Sequence, residues 1–265
     1  MVRQYIRPFF FLILSLFFLP FFSNAEELQE GTIRSDVMQT VFSGYEEMHF
    51  TISWSGGLKI GDLSLTLKQV GIDEYEINAR ITDYGLFKFF YPVDDTFVTL
   101  VRGAFKLPYK YDVLQKEGRG SVTRRQSHYD QDKLSVTYQK NDFQKLVFEI
   151  AEPVHNEFSS FYITRSMALE PGNPFMVPTF ADKKLNEVKV DVKGYEEIDS
   201  LFGKVKTLVV MPIMKFKGLF DKDGDTVIWF TDDICRVPVL IQSKILIGSL
   251  TAELDKYTNS ACKRY

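Results

Sequence analysis

The sequence predicts a mainly β protein, a large antiparallel sheet curved into a barrel, half-barrel or sandwich, with one short helix near residues 157–167. Three observations lead there. From Tyr45 onward apolar and polar residues alternate with period two, the mark of half-buried strands. Turn signals punctuate the chain at intervals of roughly 8–12 residues, as in sandwiches and barrels. One segment departs from that period: Phe158, Phe161, Tyr162 and Arg165 stand at helical spacing behind Asn156, a good N-cap residue.

The elements follow in chain order. Arg3 and Arg7 precede an apolar run from Phe9 to Phe22, and Ser23-Asn24-Ala25 offers the small residues of a cleavage site. Residues 1–25 therefore read as a cleavable export signal. The alternative is an uncleaved anchor, but about 14 apolar residues fall short of the ~20 a spanning helix requires. Residues 26–44 are polar and weakly patterned, a flexible lead-in to a single β-rich domain over 45–257. Met48, Phe50, Ile52 and Trp54 share one strand face, and Glu47, His49, Thr51 and Ser53 the other. Ser55-Gly56-Gly57 turns the chain into a partner strand carrying Leu58, Ile60, Leu63, Leu65 and Leu67, in which Gly61 marks a bulge or a close backbone approach.

Further strands are expected at 74–82, 95–102, 106–115, 121–129, 133–138 and 143–150, with an aromatic cluster, a helical turn or buried loop, at Leu86–Tyr91. After the helix, Pro171, Pro174 and Pro178 suggest an irregular crossing over 170–180, the best internal boundary. Strands resume at 187–193, 204–212, 214–220, 225–231, 237–245 and 249–256, and 258–265 is a C-terminal tail.

The chain has 265 residues and a formal charge of −3, and loss of Arg3 and Arg7 would make it more acidic. That balance argues against nucleic-acid binding, which calls for a basic surface. No later stretch is long and apolar enough for a transmembrane helix. A transmembrane β-barrel fits poorly, because the expected strands are short and charged on both faces. Cys235 and Cys262 are the two cysteines. In an exported protein they are expected to pair; two free thiols or a metal pair are the alternatives. His49, His128 and His155 lack metal spacing, so no metal and no cofactor is expected. There is no phosphate loop, dinucleotide fingerprint or nucleophile elbow, and no catalytic residue can be assigned.

Several clusters merit weighing. Asp221-Lys222-Asp223-Gly224-Asp225 places Gly224 and later residues out of step with an EF-hand loop, and Asp223-Gly224 suits a tight hairpin turn. Arg119, Arg124 and Arg125 form either an anion site or a solvated hairpin face. Asp94-Asp95 and Asp232-Asp233 are adjacent acids whose side chains alternate across a strand. One Asp from each pair meeting in a cleft would give a carboxylate dyad for hydrolysis. The plainer reading is a polar knot at strand corners involving Arg102, Arg165 or Arg236. Trp54, Phe87, Phe89, Phe90, Tyr91, Phe158, Phe161, Tyr162 and Trp229 either line an apolar pocket or fill the core.

One run of motifs is more specific. It comprises Ile52-Ser53-Trp54 with Gly57 and Lys59-Ile60-Gly61, Tyr91-Pro92-Val93-Asp94-Asp95, and Ser159 or Ser160 with Tyr162 and Arg165. It continues through Gly203, Val209-Val210-Met211-Pro212, Ile228 to Asp233, Arg236-Val237-Pro238-Val239 and Gly248-Ser249-Leu250. Over about Tyr45 to Asp255 this resembles the DUF3108 family of bacterial secreted or periplasmic proteins, a domain of unknown function. The resemblance implies a β-rich fold and an envelope location, periplasmic or secreted, and implies no activity. The cysteines lie outside its pattern. The expectation is an exported, non-catalytic envelope protein that binds a lipid or other apolar component. The alternatives are a carboxylate hydrolase of envelope polymers or an assembly partner. The candidate binding residues are Trp54, Phe89, Tyr91, Asp95, Tyr162, Arg165, Trp229, Asp232, Asp233 and Arg236.

Overall fold

The computed structural model describes residues 30–55, 57–118, 120–213, 226–245, 248–263 and 265. The export segment at 1–25, the strand expected at 214–220, the acids at 221–225 and Arg119 lie outside them.

Two antiparallel meanders build one sheet. The first runs through β1 (Tyr45–Trp54), β2 (Leu58–Gly71), β3 (Glu74–Asp83), β4 (Asp94–Arg102), β5 (Leu107–Glu117), β6 (Ser121–Asp130), β7 (Ser135–Lys140) and β8 (Leu146–Glu149). The second runs through β9 (Phe175–Ala181), β10 (Lys184–Ser200), β11 (Gly203–Ile213), β12 (Thr226–Thr231), β13 (Pro238–Lys244) and β14 (Ser249–Asn259). The first and last strands pair, Glu46 opposite Asn259 and Trp54 opposite Leu250. The order is therefore β8 to β1, then β14 back to β9, fourteen strands among the described residues, with β8 and β9 as edges. Gly61 sits at close quarters, since a Cβ there would collide with the Thr82 carbonyl on the neighbouring strand. Asp182 and Lys183 both take positive φ, which turns β9 into β10 within two residues.

Helix α3 (Glu157–Arg165) begins with a reciprocal cap: the Asn156 side chain accepts from Ser159 N–H and the Ser159 hydroxyl from Asn156 N–H, both at 2.9 Å. The sheet curls around this helix. Phe158 meets Phe97 of β4 and Tyr111 of β5, while Phe161 meets Phe230 of β12 on the other meander. Buried Val, Leu, Ile, Phe and Met side chains of both meanders form one continuous core with Tyr162, Ile163 and Met167.

The edges face each other without pairing. Residues 150–156 close the gap: Ile150 N–H bonds to Leu134, Val154 is held by Gln131, and His155 exchanges backbone bonds of 2.8 Å with Pro178 and Phe180 on β9. Phe180 of β9 packs on Phe148 of β8 and Tyr129 of β6. The sheet is thus open in its hydrogen bonding, with a seam sealed by aromatic rings and one extended segment.

Two expectations need correction. The lead-in is ordered over 30–44: α1 (Ser35–Val41) buries Val37, Met38 and Val41 in the core. A seven-residue helix is too short to be stable alone and forms here because the sheet buries its face. Of the two alternatives for the aromatic cluster, the helical turn is present as α2 (Gly85–Phe90), whose Phe89 and Phe90 lie outside the core. The expected crossing at 170–180 becomes strand β9 from Phe175, where Pro178 is tolerated because β9 is an edge. The predicted Cys235–Cys262 disulfide is present, with Cα atoms 5.9 Å apart and a sequence separation of 27. It anchors the tail, where Tyr265 stacks on Phe202 at 4.2 Å.

Burial pushes the His155 imidazole down to about 3 from an ordinary 6.5. The unfolded chain then binds one more proton between these values, so this group stabilises the fold fully above pH 6.5 and the contribution is lost as pH falls toward 3. Urea unfolding across this window should show wild type losing about 1.4 kcal/mol per pH unit more than His155→Gln. Parallel pH profiles for the two proteins would refute the assignment.

Candidate functional site

Arg165, singled out from its helical spacing, lies at the centre of the fold. It is fully buried with Glu46, which it holds through two bonds of 2.6 and 2.9 Å. Two more of its N–H groups reach the carbonyls of Arg236 (3.0 Å) and Cys235 (3.2 Å). The Tyr257 hydroxyl donates to the same carboxylate at 3.0 Å. Burial works against the charged guanidinium, but the charge and hydrogen bonds of Glu46 outweigh it and hold Arg165 above its ordinary range. Tyr162 is also fully buried, its ring beneath the Arg165 guanidinium and beside Phe42 and Phe161. Both residues are fully buried in the core. The expected Asp partner of Arg165 is Glu46 instead. Its signal was available: Glu46 is in phase with the buried Met48 and Phe50 on the inward face of β1.

The corner after β12 is a knot of the kind expected from the sequence. Asp233 accepts from Cys235 N–H (2.9 Å), Arg236 N–H (3.2 Å) and the Thr231 hydroxyl (3.0 Å), and from the Tyr265 hydroxyl. Asp232 pairs with Lys206 at 2.7 Å. Arg236 is buried in a left-handed conformation with φ 45°, which suits its carbonyl to Arg165. Burial depresses its guanidinium. Trp229 donates from Nε1 to Glu196 at 2.8 Å on the outer face.

Asp94 and Asp95 lie at the opposite end of the sheet. Asp94 faces outward to Arg80 at 3.0 Å. Asp95 is buried and accepts from Lys116 N–H (2.9 Å) and Gln115 Nε2 (3.0 Å). β4 starts where β12 begins, at the rim of the β1–β2 turn, and β12 ends at the far rim. The two Asp pairs are therefore separated by the length of a strand as well as by five strands, and the expected dyad does not form.

A different acid stands beside Asp95. Gln115 donates to both Asp95 and Glu117 and accepts from Arg125 Nη2 at 2.6 Å. Burial, and then the neighbouring Asp95 charge, push the Glu117 carboxyl up, opposed by Arg125 and a hydrogen bond from Tyr91. Arg125 leads on to Glu157 in the first turn of α3, whose Oε2 is buried without a hydrogen-bond partner, as is Arg125 Nε. Burial pushes the Glu157 carboxyl up and the Tyr111 and Tyr129 phenols well up. The cavity these groups line, covered by Asp182 and Lys183, holds about 30 Å³. That is room for a water or two, far below the ~300 Å³ of a small-molecule pocket. Two larger open grooves, about 900 and 680 Å³, lie on the β4–β7 side and are lined mainly by polar residues such as Asp130, Lys133, Asp112, Arg124 and Gln139.

None of these three spaces is lined by Trp54, Phe89, Tyr91 or Trp229. Trp54 ends β1, its Nε1 3.1 Å from where a Cβ of Gly248 would stand. Phe89 and Tyr91 are exposed at 66% and 57%. The described residues contain no group of three or more His, Cys, Asp or Glu placed to hold a metal ion, and no helix among them is long and apolar enough to cross a membrane. Gln115, Glu117, Arg125 and Glu157 were missed as a cluster, though Gln115 and Glu117 keep the inward phase of Tyr111 and Val113 on β5.

The fold has a solved counterpart in a β-barrel-like protein of the domain of unknown function DUF1849 from Brucella abortus. The TM-score is 0.58 at 10% identity, over 82% of this chain and 98% of that one, a likeness of fold alone. No curated protein matches the chain. The family model described as "Protein of unknown function (DUF3108)" matches residues 49–255, which takes in Arg165 though not its partner Glu46, the corner at 232–236 and the acid cluster at Asp95, and the chain belongs to that family.

Proposed function

We propose that this is an exported cell-envelope protein, periplasmic or secreted, that binds a lipid or other apolar envelope component without catalysis, and does so at its surface. The observation that supports the reading is the disposition of its aromatic residues. Helix α3 and the core occupy the lumen, so an acyl chain finds no channel there. Phe89, Phe90 and Tyr91 instead stand exposed on and beside α2, with Phe89 and Phe90 in edge-to-face contact at 5.4 Å. Exposed aromatic clusters of this kind mark interaction surfaces. The carboxylate-hydrolase reading loses support because its four acids occupy opposite rims and are engaged by Arg80, Lys116, Lys206 and the 233–236 corner.

The reading is tested with a fluorescent phospholipid. Replacing two exposed phenyl rings removes apolar contact with the ligand worth about 1 kcal/mol each. Phe89→Ser/Phe90→Ser should therefore weaken binding about tenfold or more, with an unchanged melting temperature. Native mass spectrometry of gently purified protein should show no stoichiometric retained lipid. A lipid held through purification and indifferent to the double substitution would place the ligand in the lumen and overturn the surface reading.

A further inference from the structure

We infer that the rim carrying the β1–β2 turn is a docking face for an anionic phospholipid bilayer; the inference rests on the surface-binding reading above and names the partner. Antiparallel pairing sends the turn after β1, the α2 loop after β3 and the turns after β5, β7, β9 and β13 to the same rim. Four of its described aromatic residues are exposed, Phe89 at 66%, Phe90 at 73%, Tyr91 at 57% and Phe143 at 67%. Around them lie exposed Lys59, Lys88, Lys140, Lys145, Lys183 and Lys184, against exposed acids Asp142 and Asp182 in the same turns. Phenyl rings and lysines on adjacent tips match a bilayer surface, where rings enter the interface and ammonium groups stay with the headgroups.

Charge selects this rim over the other. Ile72 and Phe105 are also exposed at the far rim, 99% and 61%. There, among the described residues, the exposed acids Asp73, Asp132, Glu197 and Asp199 are interspersed with the exposed bases Arg102, Lys133 and Lys204, and Asp73 holds Lys106. A rim of mixed charge has little net attraction to an anionic surface, and a basic one is drawn to it within a Debye length.

The exported chain is tested by co-sedimentation with phosphatidylcholine vesicles with and without phosphatidylglycerol. Binding is expected to rise at least tenfold with phosphatidylglycerol and to fall as salt is raised. Each near-surface lysine contributes about fivefold at low salt, so Lys88→Glu/Lys145→Glu/Lys183→Glu should reduce binding by about 100-fold or more. Phe89→Ser/Phe90→Ser should reduce it tenfold, and Ile72→Ser/Phe105→Ser on the far rim should leave it unchanged. Thermal melts of each variant separate lost binding from lost folding. Equal loss on changing the far rim would overturn the inference. So would salt-sensitive capture by polyglutamate without vesicle binding, which would assign the basic rim to an acidic polypeptide. Retained binding of monomeric phospholipid with no vesicle binding would overturn bilayer docking while leaving the surface-binding reading intact; loss of both would remove that reading as well.

Discussion

Two charges without solvent contact sit at the middle of this fold. Arg165 ends the helix inside the sheet, and Glu46 opens the first strand. Taking both from water costs several kcal/mol per ion, recovered only when the geometry is close to ideal and the remaining donors are met. Here the guanidinium fork meets both carboxylate oxygens, and two more of its N–H groups meet the carbonyls of Cys235 and Arg236. That set of partners exists only when α3, β1 and the 232–237 corner are all in place. The disulfide then fixes the corner to the tail, and Tyr257 and Asn259 on β14 reach Glu46 from the strand that joins the two meanders.

The consequence for function follows from where this clasp lies. A curved sheet of this size has a lumen wide enough for an apolar ligand only when side chains leave it empty. Here the clasp requires α3 inside, and the aromatic residues of α3 complete the core against both meanders. What space remains is small and polar, lined by Arg125, Glu157 and tyrosines. The proposed recognition therefore falls to the exterior, where the rims differ in character: aromatic and basic at one end, mixed in charge at the other.

The local structure was legible because it depends on neighbours in sequence. Alternation around Met48 and Phe50 marks β1, and Asn156 with Ser159 sets the start of α3 by a cap that needs four residues. The short helix at 35–41 was not legible, because its burial rather than its propensity stabilises it. β9 was hidden by prolines that an edge strand tolerates. Among the candidate site residues, Asp233 and Cys235 behaved as their local chemistry suggested, one gathering backbone N–H groups and the other pairing with Cys262.

The sequence by itself determined the β character, the family, the helix and its cap, and the pairing of the two cysteines, since each rests on periodicity, short motifs or a single possible partner. Tertiary structure alone decided that Arg165 takes Glu46, a residue 119 positions away, rather than any nearby Asp. It also decided that β1 pairs with β14, that the two Asp pairs occupy opposite rims, and that Asp95 has Glu117 for a neighbour. The physical reason is that strand phase tells which face a side chain takes, whereas its partner across the sheet depends on strand order and curvature, which no local pattern encodes.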